Sequence, residues 1–251
     1  MESADVKRFK EDVANYLGLE ITYANHKDWE EATPVQVCRD EKAWKVGNGS
    51  ILCTNRLKTA PFKRWMKAND PKKENIYVYG FDKSEPSRVT RRSQIMGIDG
   101  YKTAYPMLWP DNERTIQCVS EIDVSRPNEY EKFKHANCIG CLKAGWQHWY
   151  IVYLERQDIW ESAKEAEEYI GYAIHKDNHG PVYLEDKEEQ FETMKRIGII
   201  GTELVIPQRF WADAKRKVKE YNKALSEEAM PTCQIDMMAE MDKGVCLDCI
   251  A

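Results

Sequence analysis

The chain has 251 residues, with 42 acidic and 37 basic side chains, and therefore a formal net charge of −5. Its 42% apolar and 31% charged residues are those of a globular chain, which excludes a collagen-like repeat or a disordered tail. The negative balance argues against nonspecific coating of duplex nucleic acid. No apolar run approaches the ~20 residues that span a bilayer, and Met1 to Asp5 carries no signal region. A soluble, cytoplasmic protein with no membrane partner is expected.

Val6, Phe9, Val13 and Leu17 recur at helical spacing and end at Gly18, predicting a first helix. Residues 20–24 (EITYA) read as a short strand, 34–39 as a helix, and Gly47-Asn48-Gly49-Ser50 as a turn. A helix follows over 56–68, with Pro61 near its first turn or at a kink. A strand at 76–81 leads to a basic helix at 85–95 and another short strand at 104–109. Beyond it the pattern is mostly helical: 114–121, 127–135, 147–155, 159–174, 188–197 and 207–225, with an extended piece at 203–206. In the 159–174 segment Trp160, Ala163, Ala166, Glu167 and Ile170 mark the apolar and charged faces. Residues 227–251 are rich in Met and Cys, with weak periodicity. Strands alternating with helices, then helices alone, predict an α/β layer over 1–125 and a helical region over 126–251.

Of the eight cysteines, Cys38, Cys53, Cys118 and Cys233 are dispersed, with Cys38 and Cys118 expected as buried small apolar residues. Cys138 with Cys141, and Cys246 with Cys249, have C-x-x-C spacing. In Asn137-Cys138-Ile139-Gly140-Cys141-Leu142-Lys143, Gly140 permits a tight turn that directs both sulfurs to one point, and Lys143 favours thiolate charge. Such a pair is half of a tetrahedral metal site, a redox dithiol, or two core thiols. In Cys53-Thr54-Asn55-Arg56-Leu57-Lys58, Thr54 can cap a helix and Lys58 adds a point charge for an anion. Arg88, Arg91 and Arg92 share one helical face, suited to phosphate or sulfate oxygens or simply to solvent, and Lys102 closes that basic stretch. His135 and His148 flank the C-x-x-C and are expected as structural rather than ligating residues. His175 and His179 fall in a polar loop, and the tryptophans read as packing residues.

In this order, Cys53-Thr54 with Leu57-Lys58 and Pro61, then Gly80 to Arg92, Tyr101 to Pro106, and Ile122 to Tyr130 leading into Asn137 to Gly145, resemble the phosphoadenosine phosphosulfate (PAPS) reductase family, within the adenine nucleotide α-hydrolase-like enzymes. Trp149 and the acidic helix after it look like the bacterial and phage-type members. The resemblance covers most of residues 2–170. It implies a Rossmann-like parallel sheet between helices, an oxidoreductase or sulfurtransferase activity in sulfur metabolism, and ATP or PAPS as substrate. Lys58, Arg88, Arg91, Arg92, Lys102 and Lys143 would then hold its anionic groups. It also implies a [4Fe–4S] cluster, with zinc as the alternative, on Cys53, Cys138 and Cys141. The family's Cys-Cys pair is Leu52-Cys53 here, so the fourth ligand falls to Cys249 or Cys246 near the end, or to Cys118.

The family's opening strand and S-G-G-K-D-S phosphate loop have no counterpart among the 13 glycines. By the resemblance the sheet is incomplete at its N-terminal side, leaving the strands at Glu20 and Ile76 facing a gap. A partner that supplies the loop (one half of a split enzyme), a homo-oligomer, or a truncated frame would account for this. A nucleic acid is a further partner if the reaction is thiolation of a base. The alternative class is a non-catalytic interaction protein that keeps the scaffold without the loop.

Overall fold

The computed structural model describes residues 3–30, 32–47, 49–109, 116–134 and 138–228. Helix α1 (Ala4–Leu17) is opened by Ser3, whose hydroxyl accepts from the Val6 N–H, and is closed by Gly18 at φ 64°, a left-handed turn that glycine makes without a Cβ penalty. Helix α2 (Pro34–Asp40) starts from Thr33, which caps the Gln36 N–H, with Pro34 in its first turn. Helices α3 (Leu52–Thr54) and α4 (Ala60–Asn69) run on through a π turn, Asn55–Thr59. Pro61 explains that turn. It has no N–H to give and its ring crowds the carbonyl of Leu57, so the ladder ahead of it opens and the Ala60 N–H reaches back to the Asn55 carbonyl.

Strands β1 (Ile76–Val78) and β2 (Lys102–Ala104) pair in parallel, joined through helix α5 (Pro86–Ile98), with Ile76 opposite Lys102 and Val78 opposite Ala104. The chain is thus mixed α/β. Residues 19–25 are not a strand. A strand exists only through its neighbour's backbone, and β1 has one neighbour, β2, among the described residues. The 104–109 segment divides at Pro106, where a 3₁₀ turn, Pro106–Leu108, begins. In the described parts of 114–121 and 127–135, short 3₁₀ turns stand where helices are expected: Val119–Ile122 and Asn128–Glu131. Residues 203–206 form no strand.

Helix α6 (Trp146–Glu155) is apolar around its whole circumference and is buried from Gln147 to Tyr153, as a helix surrounded by others must be. Around it lie α7 (Gln157–Ile170), α8 (Glu188–Arg196) and α9 (Pro207–Glu228), with a small hairpin of β3 (His175–Lys176) and β4 (Pro181–Val182). Trp149, Tyr150, Tyr153, Trp160 and Phe191 form its aromatic centre, with ring centroids 5.1–6.3 Å apart. Each contributes roughly 1.5–3 kcal/mol of burial.

This core does not respect a boundary near residue 125. Val35, Val37, Cys38, Trp44 and Leu52 belong to the same cluster as Leu142, Trp149 and Phe191, while Met66, Met96 and Tyr101 form a separate small one. The apolar face of α2 packs on α7, so the N-terminal segment is part of the helical body, and residues 62–101 supply the satellite. Among the described residues no helix is long and apolar enough to cross a membrane.

Candidate functional site

Past Val78 the chain stays beside β2 for one more bond, Tyr79 N–H to the Ala104 carbonyl at 2.9 Å. It then turns at Asp82, whose carboxylate accepts from the Ser84 N–H at 2.7 Å, and enters α5. The first turns of that helix carry Arg88, Arg91 and Arg92. The Arg88 guanidinium lies 4.4 Å from the Phe81 ring centre and pairs with Glu85, and that of Arg92 lies 5.2 Å from Tyr79. Tyr79, Phe81 and Tyr105 themselves form a near-parallel stack with centroids 5.6, 5.9 and 6.3 Å apart. The Arg88 and Arg92 guanidiniums held on these rings border, with Arg91, a cleft of about 840 Å³.

Thr54, Asn55, Thr59 and Lys63, from the end of α3, the π turn and the start of α4, form the facing wall, and Lys143 arrives from the C-x-x-C loop. The described lining therefore holds five cations (Lys63, Arg88, Arg91, Arg92 and Lys143) and no carboxylate. Arg91 and Lys143 have no ion-pair partner among the described residues. In a chain of net charge −5, such a wall is an attractor for a polyanion.

Four of the six cations expected from sequence meet here. Lys58 lines an adjoining pocket of about 210 Å³ with Arg92. Lys102 is not part of the cleft: it sits at the amino end of β2, in register with Ile76, whereas the arginines follow the carboxyl end of β1. Lys63 was not foreseen, because nothing in its local spacing distinguishes it from an ordinary helix-surface lysine. Comparison with known proteins finds no match: no family model, no curated protein and no solved structure. The cleft is therefore read from its own chemistry.

The thiols divide differently from the expectation. Cys53, next to Thr54 of the cleft wall, packs against the core cluster that holds the fully buried Cys38 of α2. Hydrogen bonding between the Cys38 and Cys53 thiols pulls that of Cys53 down to about 7 and pushes that of Cys38 up. The Thr54 hydroxyl, Lys143 and Lys58 add to the Cys53 effect. Cys118 is exposed rather than buried, and its sulfur contacts Ser120 Oγ at 2.8 Å. Cys233, Cys246 and Cys249, like His135, lie outside the described residues. Among the described residues no group of three or more His, Cys, Asp or Glu side chains converges to hold a metal. The described residues alone therefore do not assemble the four ligands of a cubane cluster or of structural zinc.

Cys138 and Cys141 flank Gly140, which turns at φ 71°. The Gly140 N–H donates to His148 Nε2 at 3.1 Å, and His148 Nδ1 lies 3.1 Å from Glu203. An imidazole that accepts at Nε2 carries its proton on Nδ1, toward the carboxylate. His148 therefore positions the C-x-x-C turn, as the structural reading expected.

His175 is not in a polar loop. It opens β3, its ring 4.3 Å from that of Trp146 and 5.9 Å from Trp149, with a buried Nε2 that has no hydrogen-bond partner among the described residues. Burial holds its pKa down at about 4. The fold thus favours the neutral ring, and the stability it confers is complete above pH ~6.5 and lost as pH falls toward 4. Wild-type protein is expected to lose about 1–2 kcal/mol between pH 7 and pH 5 from this group. Urea titrations of His175→Phe should show that loss removed, and an unchanged slope would refute the assignment.

Proposed function

We propose that the chain is a PAPS reductase-like protein of sulfur or adenylyl-nucleotide chemistry, and that its basic cleft holds the phosphosulfate or phosphate groups of an adenine nucleotide. The observation that carries this reading is the cleft wall of five cations without a carboxylate. Its position adds support: open parallel α/β sheets bind ligands outside the carboxyl ends of their strands, and Phe81 and α5 follow the carboxyl end of β1. Planar guanidiniums at Arg88, Arg91 and Arg92 match tetrahedral oxyanions in pairs, while Lys143 serves as a point charge.

β1, α5 and β2 are one strand–helix–strand unit, and in this reading they belong to a larger Rossmann-like sheet. Ile76 and Val78 on β1 are 61% and 65% exposed, unusual for apolar residues of a parallel strand. That uncovered face, with the second edge of β1 left without a strand among the described residues, supports a split enzyme, in which a partner adds the neighbouring strand and its phosphate loop. The same edge favours the second reading, a non-catalytic interaction protein.

Calorimetric titration with sulfate, ATP and PAPS at low salt separates the two. Binding of the nucleotides is expected, weakening as salt rises, with Arg91→Ala and Arg92→Ala each costing roughly tenfold in affinity. No binding of either nucleotide at millimolar concentration would remove the first reading and leave the second.

A further inference from the structure

We propose that the groove between α4 and α5, of which the basic cleft is one end, is a binding track for a single strand of nucleic acid.

Three depressions follow one another between these helices. The cleft of about 840 Å³ is the first, with Ala60 and Lys63 of α4 on one side and Arg88, Arg91 and Arg92 of α5 on the other. The second, of about 210 Å³, takes in Lys58, Lys63 and Arg92. The third, of about 480 Å³, takes in Lys63, Lys67 and Lys73. Lys63 borders all three and Arg92 the first two, so they are continuous. Buried Met66 and Met96 join the two helices beneath them. Along α5 the lining passes from Arg88 through Met96 to Asp99, and from residue 88 to residue 99 is roughly 16 Å of helix. That track is longer than the phosphate chain of one nucleotide.

Its charge is almost all of one sign. Arg91 and Lys143 at the cleft, Lys58 in the middle and Lys67 at the far end are exposed, with no ion-pair partner among the described residues. The carboxylate in the described lining, Asp99, is held by Lys63 at 3.2 Å, and Lys73 donates to the Asp99 carbonyl at 2.7 Å. An aromatic ring also borders each depression in turn: Phe81, Phe62 and Tyr101. Phe81 and Phe62 are only half-buried.

A cationic groove with aromatic rings along it holds single strands with little regard to sequence, because the cations track phosphates and the rings take base faces. An acidic peptide would engage the cations and leave the rings idle. A duplex, its bases stacked inside, would do the same. Lys58 and Lys67 lie outside the cleft, so the proposal goes beyond the nucleotide reading and does not depend on it.

The experiment follows the fluorescence anisotropy of labelled oligouridylate and oligothymidylate of about 12 nucleotides, titrated with the full chain over a series of salt concentrations. Both are expected to bind at low salt, and the tighter one identifies RNA or DNA as the preferred strand. Lys58→Ala and Lys67→Ala should each weaken binding about threefold and make the slope of log affinity against log salt shallower by about 0.7. Neither should alter calorimetric binding of ATP, whereas Arg91→Ala should weaken both ligands. Phe62→Leu should cost about fivefold with the salt slope unchanged. Lys217→Ala, at an exposed lysine of α9 outside the groove, should change nothing. Failure of both strands to bind at low salt would overturn the proposal. So would an equal loss in Lys217→Ala, full affinity in Phe62→Leu, or a polyglutamate peptide or duplex bound as tightly as the strands. Binding of ATP without the strands would remove this proposal and leave the nucleotide reading; binding of the strands without ATP would do the reverse.

Discussion

Glu167→Ala is expected to lower the free energy of unfolding by about 3–5 kcal/mol, the largest effect of any single polar replacement in the helical body. Glu167 is 2% exposed on the inner face of α7. Its two oxygens accept from the Ile174 N–H and the Leu184 N–H, each at 2.7 Å. Those two amides stand at either end of the β3–β4 hairpin, so one carboxylate brackets the whole excursion. Burial raises its pKa, opposed by the same two hydrogen bonds. Alanine would strand both donors, at roughly 1–3 kcal/mol each, and leave a small void. The melting temperature should fall by roughly 8–15 °C for a chain of this size. Glu167→Gln separates the contributions, since an amide accepts through one oxygen only and about half the loss should remain. A glutamine variant as unstable as the alanine one would mean that charge, not the pair of acceptors, holds the hairpin.

Glu167 also illustrates how far the sequence is legible. Trp160, Ala163 and Ala166 mark the buried stripe of α7, and Glu167 falls inside it, so a carboxylate in an apolar register was a visible signal. Its two acceptors' partners, seven and seventeen residues on, were not. The same division runs through the chain. Helix α1 ends where Gly18 says it must, and α8 and α9 follow their apolar spacing, because a helix is closed by residues a few positions away. The strand expected at residues 20–24 fails because a strand is not a local object: its pattern was there, and its partner was not.

The candidate site divides in the same way. Arg88, Arg91 and Arg92 were legible as one face because helical geometry alone sets their spacing. The packing of α2 on α3, which brings the segments of Cys38 and Cys53 together, was not, since it joins two helices across a turn of unrelated sequence. Cys38 read as a core residue, and it is one; what its burial concealed was the identity of its neighbour. Lys102 shows the reverse error, where closeness in sequence to the arginines was taken for closeness in space. The crossover through α5 carries the chain back to the amino end of the sheet before β2 begins.

Gly140→Ala is the second large effect, expected to cost about 3–4 kcal/mol through two separable causes. Gly140 holds φ 71°, a region where an L side chain is strained by roughly 1–2 kcal/mol. A Cβ built there would also stand 2.6 Å from Ile159 Cγ2 on α7, an overlap that well-packed cores relieve at a cost of roughly 1–3 kcal/mol. The two causes predict different responses to Ile159→Ala. Removing that methyl abolishes the overlap and leaves the backbone strain, so the double variant should be less destabilised than the sum of the singles by about the steric part. A strictly additive pair would mean that the overlap is relieved at no cost by a small shift of the turn or of the methyl, and that strain accounts for the whole effect. Ile159 lies near the start of α7 at the edge of a pocket of about 380 Å³, so its methyl has room to move and the steric part is expected at the lower end of its range. The C-x-x-C turn is thus pinned on one side by a histidine and on the other by an isoleucine, which leaves glycine as the residue that satisfies both.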